Sequence, residues 1–158
     1  MEAIKVNGHA MEENVRNTLQ DQYLTFRLAD EEYGLEICFV KEVVGLMPVT
    51  MMPGMPGYIK GVVNLRGSLI PIMDARIRFN LTEVEYGDRT CVIVIDVNGE
   101  PLGLAVDEVK DVLEIPNEKV TLSMTKSHTG KDGLLKGFGK IDDYIKIIID
   151  AQKLMDLD

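Results

Sequence analysis

The sequence predicts an all-β chain made of two copies of one small unit, each about five short strands closed by a helical turn. Three observations carry this. Apolar residues alternate with period two through Tyr23–Leu28, an apolar strand run recurs at Cys91–Val97, and each is followed by a turn and a return strand. The second hairpin matches the first at a shift of 69 residues: Glu31 falls on Glu100, Gly34 on Gly103, Leu35 on Leu104, Val40 on Val109, Lys41 on Lys110 and Val43 on Val112. The later parts match at a shift of 76, with Gly61 on Gly137, Asp74 on Asp150 and Ala75 on Ala151. Short strands joined by tight turns close most naturally into a small barrel.

Residues 1–20 are polar and weakly patterned, and read as a mobile tail with some helix from Ala10 to Leu19. In Tyr23–Leu28 the alternation puts Leu24, Phe26 and Leu28 on one face and leaves Tyr23, Thr25 and Arg27 outward. Asp30, Glu31 and Glu32 make the turn. Tyr33–Val40 returns with Leu35, Ile37 and Phe39 inward, and Lys41–Gly45 continues that strand. Leu46–Tyr58 holds three prolines, two glycines and four methionines, so it is neither a regular helix nor a central strand. Its methionines suit gap filling at a barrel end.

Gly61–Phe79 organises the chain. It reads as an apolar strand ending near Leu65, a tight turn through Asn64, Leu65, Arg66 and Gly67, and a second strand from Ser68 to Met73. Asp74 then caps a short helix, Ala75 to Phe79. Cys91–Val97 is a strand, Asn98-Gly99 is a strong hairpin signal, and Leu102–Val106 returns. Because the shift grows by seven, the second copy carries an insertion, most simply within Thr121–Leu134. The expected organisation is a tail over 1–20, a first barrel over 21–85 and a second over 86–158, with exchange of strands between the barrels left open because duplicated units can swap equivalent strands without changing the pattern.

Composition excludes several functions. With 158 residues, 46% hydrophobic and 27% charged, the chain can fold as one medium or two very small domains. A net charge of −9 opposes binding to nucleic acid or an anionic membrane surface. No apolar run approaches the ~20 residues of a membrane helix, and the N-terminus lacks the apolar core of a signal peptide. Cys38 and Cys91 lie in apolar runs without CxxC spacing, which reads as two reduced, buried thiols in cytoplasm.

No catalytic constellation is present. His9 and His128 have no partner at metal-ligand spacing, so neither metal nor cofactor is implied. Gly130-Lys131 fails as a phosphate loop, because Thr125 stands where a glycine is required and Asp132 where Ser or Thr is required. Ser68 and Ser123 have no base that sequence can identify. A binding module remains, with the arginine turn as its candidate site. Asp142 replaces Arg66 in the second copy although the surrounding signals persist, so the fold does not need the arginine. Arginine is favoured at protein interfaces, where its planar fork bonds carboxylates and carbonyls. Val92 and Val94, which answer to outward Tyr23 and Thr25, add apolar surface that is buried between the copies or against another protein. The competing reading is a small β-barrel that senses a metabolite in an apolar cavity.

The blocks QYLTFRLADEEYGLEICFVKEVVG, PGMPGYIKGVVNLRGSLIPIMDARIRF and CVIVIDVNGEPLGLAVDEVKDVLEI resemble the CheW adaptors of bacterial chemotaxis, from about Gln22 to Leu154. The resemblance implies two five-stranded SH3-like barrels packed on a shared apolar interface, and no catalytic activity. It implies a cytoplasmic protein recruited to receptor arrays at the inner face of the membrane, without inserting into it. There it would bridge the cytoplasmic tips of methyl-accepting chemoreceptors to the regulatory domain of the histidine kinase CheA. By the same resemblance Arg66 is a receptor-contact residue, Asn64 shapes its turn, and Val40 and Glu42 are nearby contacts. Val92 and Val94 become candidates for the kinase surface or the inter-barrel core.

Overall fold

The structure, a computed structural model, describes residues 20–122 and 133–155. The tail helix expected at 10–19, both histidines and the Gly130-Lys131 loop lie outside these residues. Among the described residues eleven strands form two sheets: β1 (Gln22–Leu28), β2 (Glu31–Glu36), β3 (Val40–Gly45), β4 (Ile59–Leu65), β5 (Ser68–Asp74), β6 (Cys91–Val97), β7 (Glu100–Val106), β8 (Glu108–Glu114), β9 (Val120–Leu122), β10 (Leu135–Ile141) and β11 (Tyr144–Ile149). Two one-turn helices, α1 (Ala75–Arg78) and α2 (Ala151–Leu154), follow β5 and β11. Asp74 caps α1 by accepting from the Ile77 amide, and Asp150 caps α2 by accepting from Gln152 and Lys153.

The sheets do not follow the two halves of the chain. One has the order β8-β1-β2-β11-β10-β9 and the other β3-β6-β7-β5-β4. Each repeat therefore hands its first hairpin to the sheet of the other. The exchange is reciprocal: β5 pairs parallel with β7 through Ile72 and Gly103, and β11 pairs parallel with β2 through Ile148 and Gly34. These pairs are equivalent under the two sequence shifts. A division at 85/86 thus cuts through both sheets. The expected continuous strand Tyr33–Gly45 is also broken. Ile37–Phe39 forms a 3-10 turn, at which the chain leaves one sheet and enters the other. Ile37 stays buried there, Phe39 is half-buried, and Cys38 faces solvent. The buried-thiol expectation fails because alternation is lost at this crossing; Cys91 is likewise only half-buried.

Strands buried on both faces explain the near-continuous apolar runs. On β1, Leu24, Phe26 and Leu28 join the large core between the sheets with Ile93, Ile95 and Val97 of β6 and Leu102 and Leu104 of β7. Tyr23, expected outward, packs instead with Ile115 and Ile148 inside the six-stranded sheet. Thr25 is also buried, at 1% exposure. Its hydroxyl donates to the Asp111 carbonyl and accepts from the Asp111 amide, at 3.0 and 3.1 Å, across a break in the β1–β8 register. A polar residue in the core is thus satisfied at the one place where the ladder needs it.

Glycine marks the same crossing in both repeats. A Cβ on Gly61, at φ +148°, would lie 2.1 Å from the Thr50 carbonyl oxygen; one on Gly137 would lie 2.2 Å from that of Thr121. Thr50 pairs with Val62 and Thr121 with Phe138, the residues after the two glycines. Thr121 follows Thr50 by 71 residues, between the shifts of 69 and 76. Two of the seven inserted residues therefore precede Thr121, and five follow it.

Candidate docking site at the Arg66 turn

β4 and β5 meet in a two-residue turn whose central residues, Arg66 and Gly67, have φ of +50° and +87°. Two positive values define the hairpin turn that matches strand twist, and they explain Gly67. Arginine is an unusual residue for such a conformation, since its Cβ crowds the following carbonyl. Asn64 steadies the turn: its Oδ1 accepts from the Gly67 amide at 2.8 Å. The β6–β7 turn repeats this design, with Asn98 and Gly99 at φ +54° and +85° and Asp96 accepting from the Gly99 amide at 2.9 Å. Asp142, the counterpart of Arg66, sits at φ +53°. The conformation is common to both repeats; the guanidinium is not.

Arg66 is 67% exposed along its side chain, and its Nη2 donates to Glu42 Oε2. Glu42 belongs to β3, at the opposite edge of the five-stranded sheet from β4. A register shift between Val40 and Glu42 makes Lys41 the extra residue of a bulge, which re-aims the Glu42 side chain. The carboxylate is 15% exposed and reaches the arginine only because the sheet has curled until its edges meet. Sequence places Asn64 and Arg66 together; it brings Val40 and Glu42 to them by resemblance alone. The fold unites Glu42 with Arg66 directly, and places half-buried Val40 two residues along the same strand.

Val92 and Val94 are elsewhere. They are 1% and 2% exposed, packed with Val63, Ile70, Ile72 and Ala105 inside the curled five-stranded sheet. Val63, Ile70 and Ile72 belong to the first repeat, so Val92 and Val94 are buried between residues of the two copies, one of the two places expected, and not on a surface open to a kinase. The apolar residues that do protrude escaped the sequence reading. Leu69 on β5 and Ile145 on β11, equivalent under the 76-residue shift, are 67% and 61% exposed, and Tyr144 beside Ile145 is 69% exposed. The signal was available, since both stand at the turn end of their strands, where a curled sheet flares outward.

At the end of β5 away from the turn lies a second polar element. Asp74 is 3% exposed and accepts from the Tyr86 hydroxyl at 2.8 Å. Burial, then the Asp74 hydrogen bond and charge, push the Tyr86 phenol well above its ordinary pKa, so it stays a donor. Among the described residues no group of His, Cys, Asp and Glu is arranged to hold a metal, and no helix is long and apolar enough to cross a membrane.

A family model described as a CheW-like domain matches residues 22–158. The chain belongs to the CheW family. Among CheW relatives, the chemotaxis protein CheW of Klebsiella aerogenes is 36% identical over 138 residues, covering 87% of this chain and 83% of the relative. That of Bacillus subtilis is 30% identical over 136 residues, covering 86% and 87%. The crystal structure of the scaffolding protein TtCheW from Thermoanaerobacter tengcongensis superposes with a TM-score of 0.77 at 33% identity, covering 82% of this chain and 88% of that one. Membership places the chain among CheW scaffold proteins of chemotaxis and not among enzymes.

Proposed function

We propose that the chain is a cytoplasmic, non-enzymatic adaptor that bridges chemoreceptor cytoplasmic tips to the regulatory domain of the histidine kinase CheA, recruited to receptor arrays at the inner face of the membrane. The observation that carries this reading is the Arg66 turn. An exposed guanidinium is held on a left-handed residue by Glu42, in a conformation that the other repeat achieves with an aspartate. The fold gains nothing particular from arginine there; a partner does. Receptor contact would use Arg66, Asn64, Glu42 and the exposed part of Val40. The kinase leg falls to protruding aliphatic residues, of which Leu69 and Ile145 are two. As an adaptor the chain transmits a receptor state only if it contacts both partners differently in each state.

Calorimetric titration with a receptor cytoplasmic fragment and, separately, with a CheA regulatory domain tests this, each repeated with Arg66→Ala. The expected result is binding to both, with the substitution weakening the receptor leg by roughly thirtyfold, as for an interface hot spot of about 2 kcal/mol. No binding to the kinase domain would remove the bridging reading.

A further inference from the structure

We propose that the methionine-lined groove along residues 46–58 is a site of reversible sulfoxide modification by peroxide-class oxidants, with Met51 its most reactive residue. The loop holds Met47, Met51, Met52 and Met55 within thirteen residues. The sequence alone assigns them to gap filling, but the fold turns three of them outward. Met51 is 83% exposed, Met52 48% and Met55 38%, whereas Met73 in the shared core is 0% exposed.

The backbone explains the display. Thr50 is pinned to β4 by two backbone hydrogen bonds to Val62, each 2.9 Å, so its neighbour Met51 is sent away from the sheet. Pro53, Gly54 at φ +80° and Pro56 then carry the chain around the outside of a groove of about 580 Å³, rimmed by these methionines and floored by Ile59 and Tyr86. Packing needs do not account for a side chain as exposed as Met51.

The chemistry follows from exposure. A thioether lone pair attacks one peroxide oxygen, the O–O bond breaks, and oxygen passes to sulfur. The departing hydroxide takes a proton and leaves as water. Sulfur loses two electrons and the peroxide gains them. A sulfoxide is polar, and dithiol-dependent reductases return it to the thioether, so an apolar rim becomes a polar one and back. The groove lies between the end of β3 and the start of β4, and Arg66 follows the other end of β4. A receptor that spans this face from Arg66 to the loop would bind the oxidised chain more weakly, a consequence that rests on the proposed function; the modification itself does not.

The test treats the full chain with hydrogen peroxide and follows each methionine by peptide mass spectrometry. Among the described methionines, Met51 is expected to convert first and Met52 and Met55 next, all at least roughly tenfold faster than Met73. In the same samples, affinity for a receptor fragment should fall in step with rim sulfoxide. A chain carrying Met51→Leu, Met52→Leu and Met55→Leu should lose none of its own affinity on treatment. Equal rates at Met51 and Met73 in the folded chain overturn the site. Rim sulfoxides with unchanged affinity, in a chain that binds receptor when reduced, overturn the switching. A reduced chain that never binds receptor counts against the docking reading alone, and the oxidation rates still decide the modification.

Discussion

The Arg66 guanidinium closes on the Glu42 carboxylate and so joins the two edges of the five-stranded sheet, β3 and the β4–β5 hairpin. Hydrophobic packing curls the sheet, and this pair lies where the curl brings its edges together. With Arg66 two-thirds exposed, solvent screens the attraction, and such pairs contribute little to folding. Arg66→Ala should therefore lower stability by less than about 1 kcal/mol in urea denaturation. Arg66→Asn should stabilise the turn slightly, since Asn tolerates the left-handed conformation better. A large loss of stability in either variant would show that the arginine is structural.

The two crossing glycines make a stronger prediction. Gly61→Ala and Gly137→Ala each drive a methyl into a threonine carbonyl on an adjacent segment. Each should cost roughly 2–4 kcal/mol by overpacking, Gly61→Ala the more because of these two only Gly61 also holds a positive φ. Denaturant midpoints check both, and a loss at one position with none at the other would show that the repeats are not built alike.

Val92→Ala and Val94→Ala should each destabilise by about 1–3 kcal/mol through the cavity they leave. Neither should change affinity for a CheA regulatory domain in samples verified as folded. Ile145→Asp reverses the pattern: little change in stability and weakened kinase binding, read by calorimetry.

Asp107 gives the acid response. It sits at the corner between β7 and β8, accepting from Arg76 Nε at 2.9 Å, Arg76 Nη2 at 2.6 Å and the Ala29 amide at 2.9 Å. Burial alone would raise its pKa. The Arg76 hydrogen bonds, the Ala29 amide and the charges of Arg76 and Arg27 outweigh burial and hold it below the ordinary carboxylate value. A depressed folded pKa means stability that is fully present above the ordinary carboxylate range and lost as pH falls through the folded value. Stability should thus decline below about pH 4, and Asp107→Asn should lose less over that interval while starting about 1–3 kcal/mol lower at neutral pH. Urea midpoints between neutral and acid pH measure the difference.

Strands, turns and caps were legible because their causes are local. Asp74 caps as read, Asn98-Gly99 turns as read, and the duplication that sets Asp150 opposite Asp74 is plain in the spacing. Pairing partners were not legible, because equivalent hairpins carry equivalent patterns and either can complete either sheet. The same ambiguity left Val92 and Val94 open between a partner surface and burial between the copies, and the fold decides for burial. An apolar residue opposite a core face reads as surplus until a second core is known to lie there. Arg66 was legible as an oddity; Glu42 became its partner only when the sheet curled.

The reciprocal hairpin exchange also sets an order of events during synthesis. β1 and β2 are the first strands to be made, yet the parallel partner of β2 is β11, the last, with Ile147 registered against Tyr33. Domains generally fold as units as a chain emerges, but here the five-stranded sheet gains its last strand only with β7 of the second repeat, and the six-stranded sheet waits for β11. The first hairpin must wait with an open flank. Contacts this distant in sequence favour slow folding, so the newly made chain spends its longest vulnerable period with β2 unpaired on that side, and a premature stop between β7 and β11 leaves the six-stranded sheet unfinished although every strand of the other has been made.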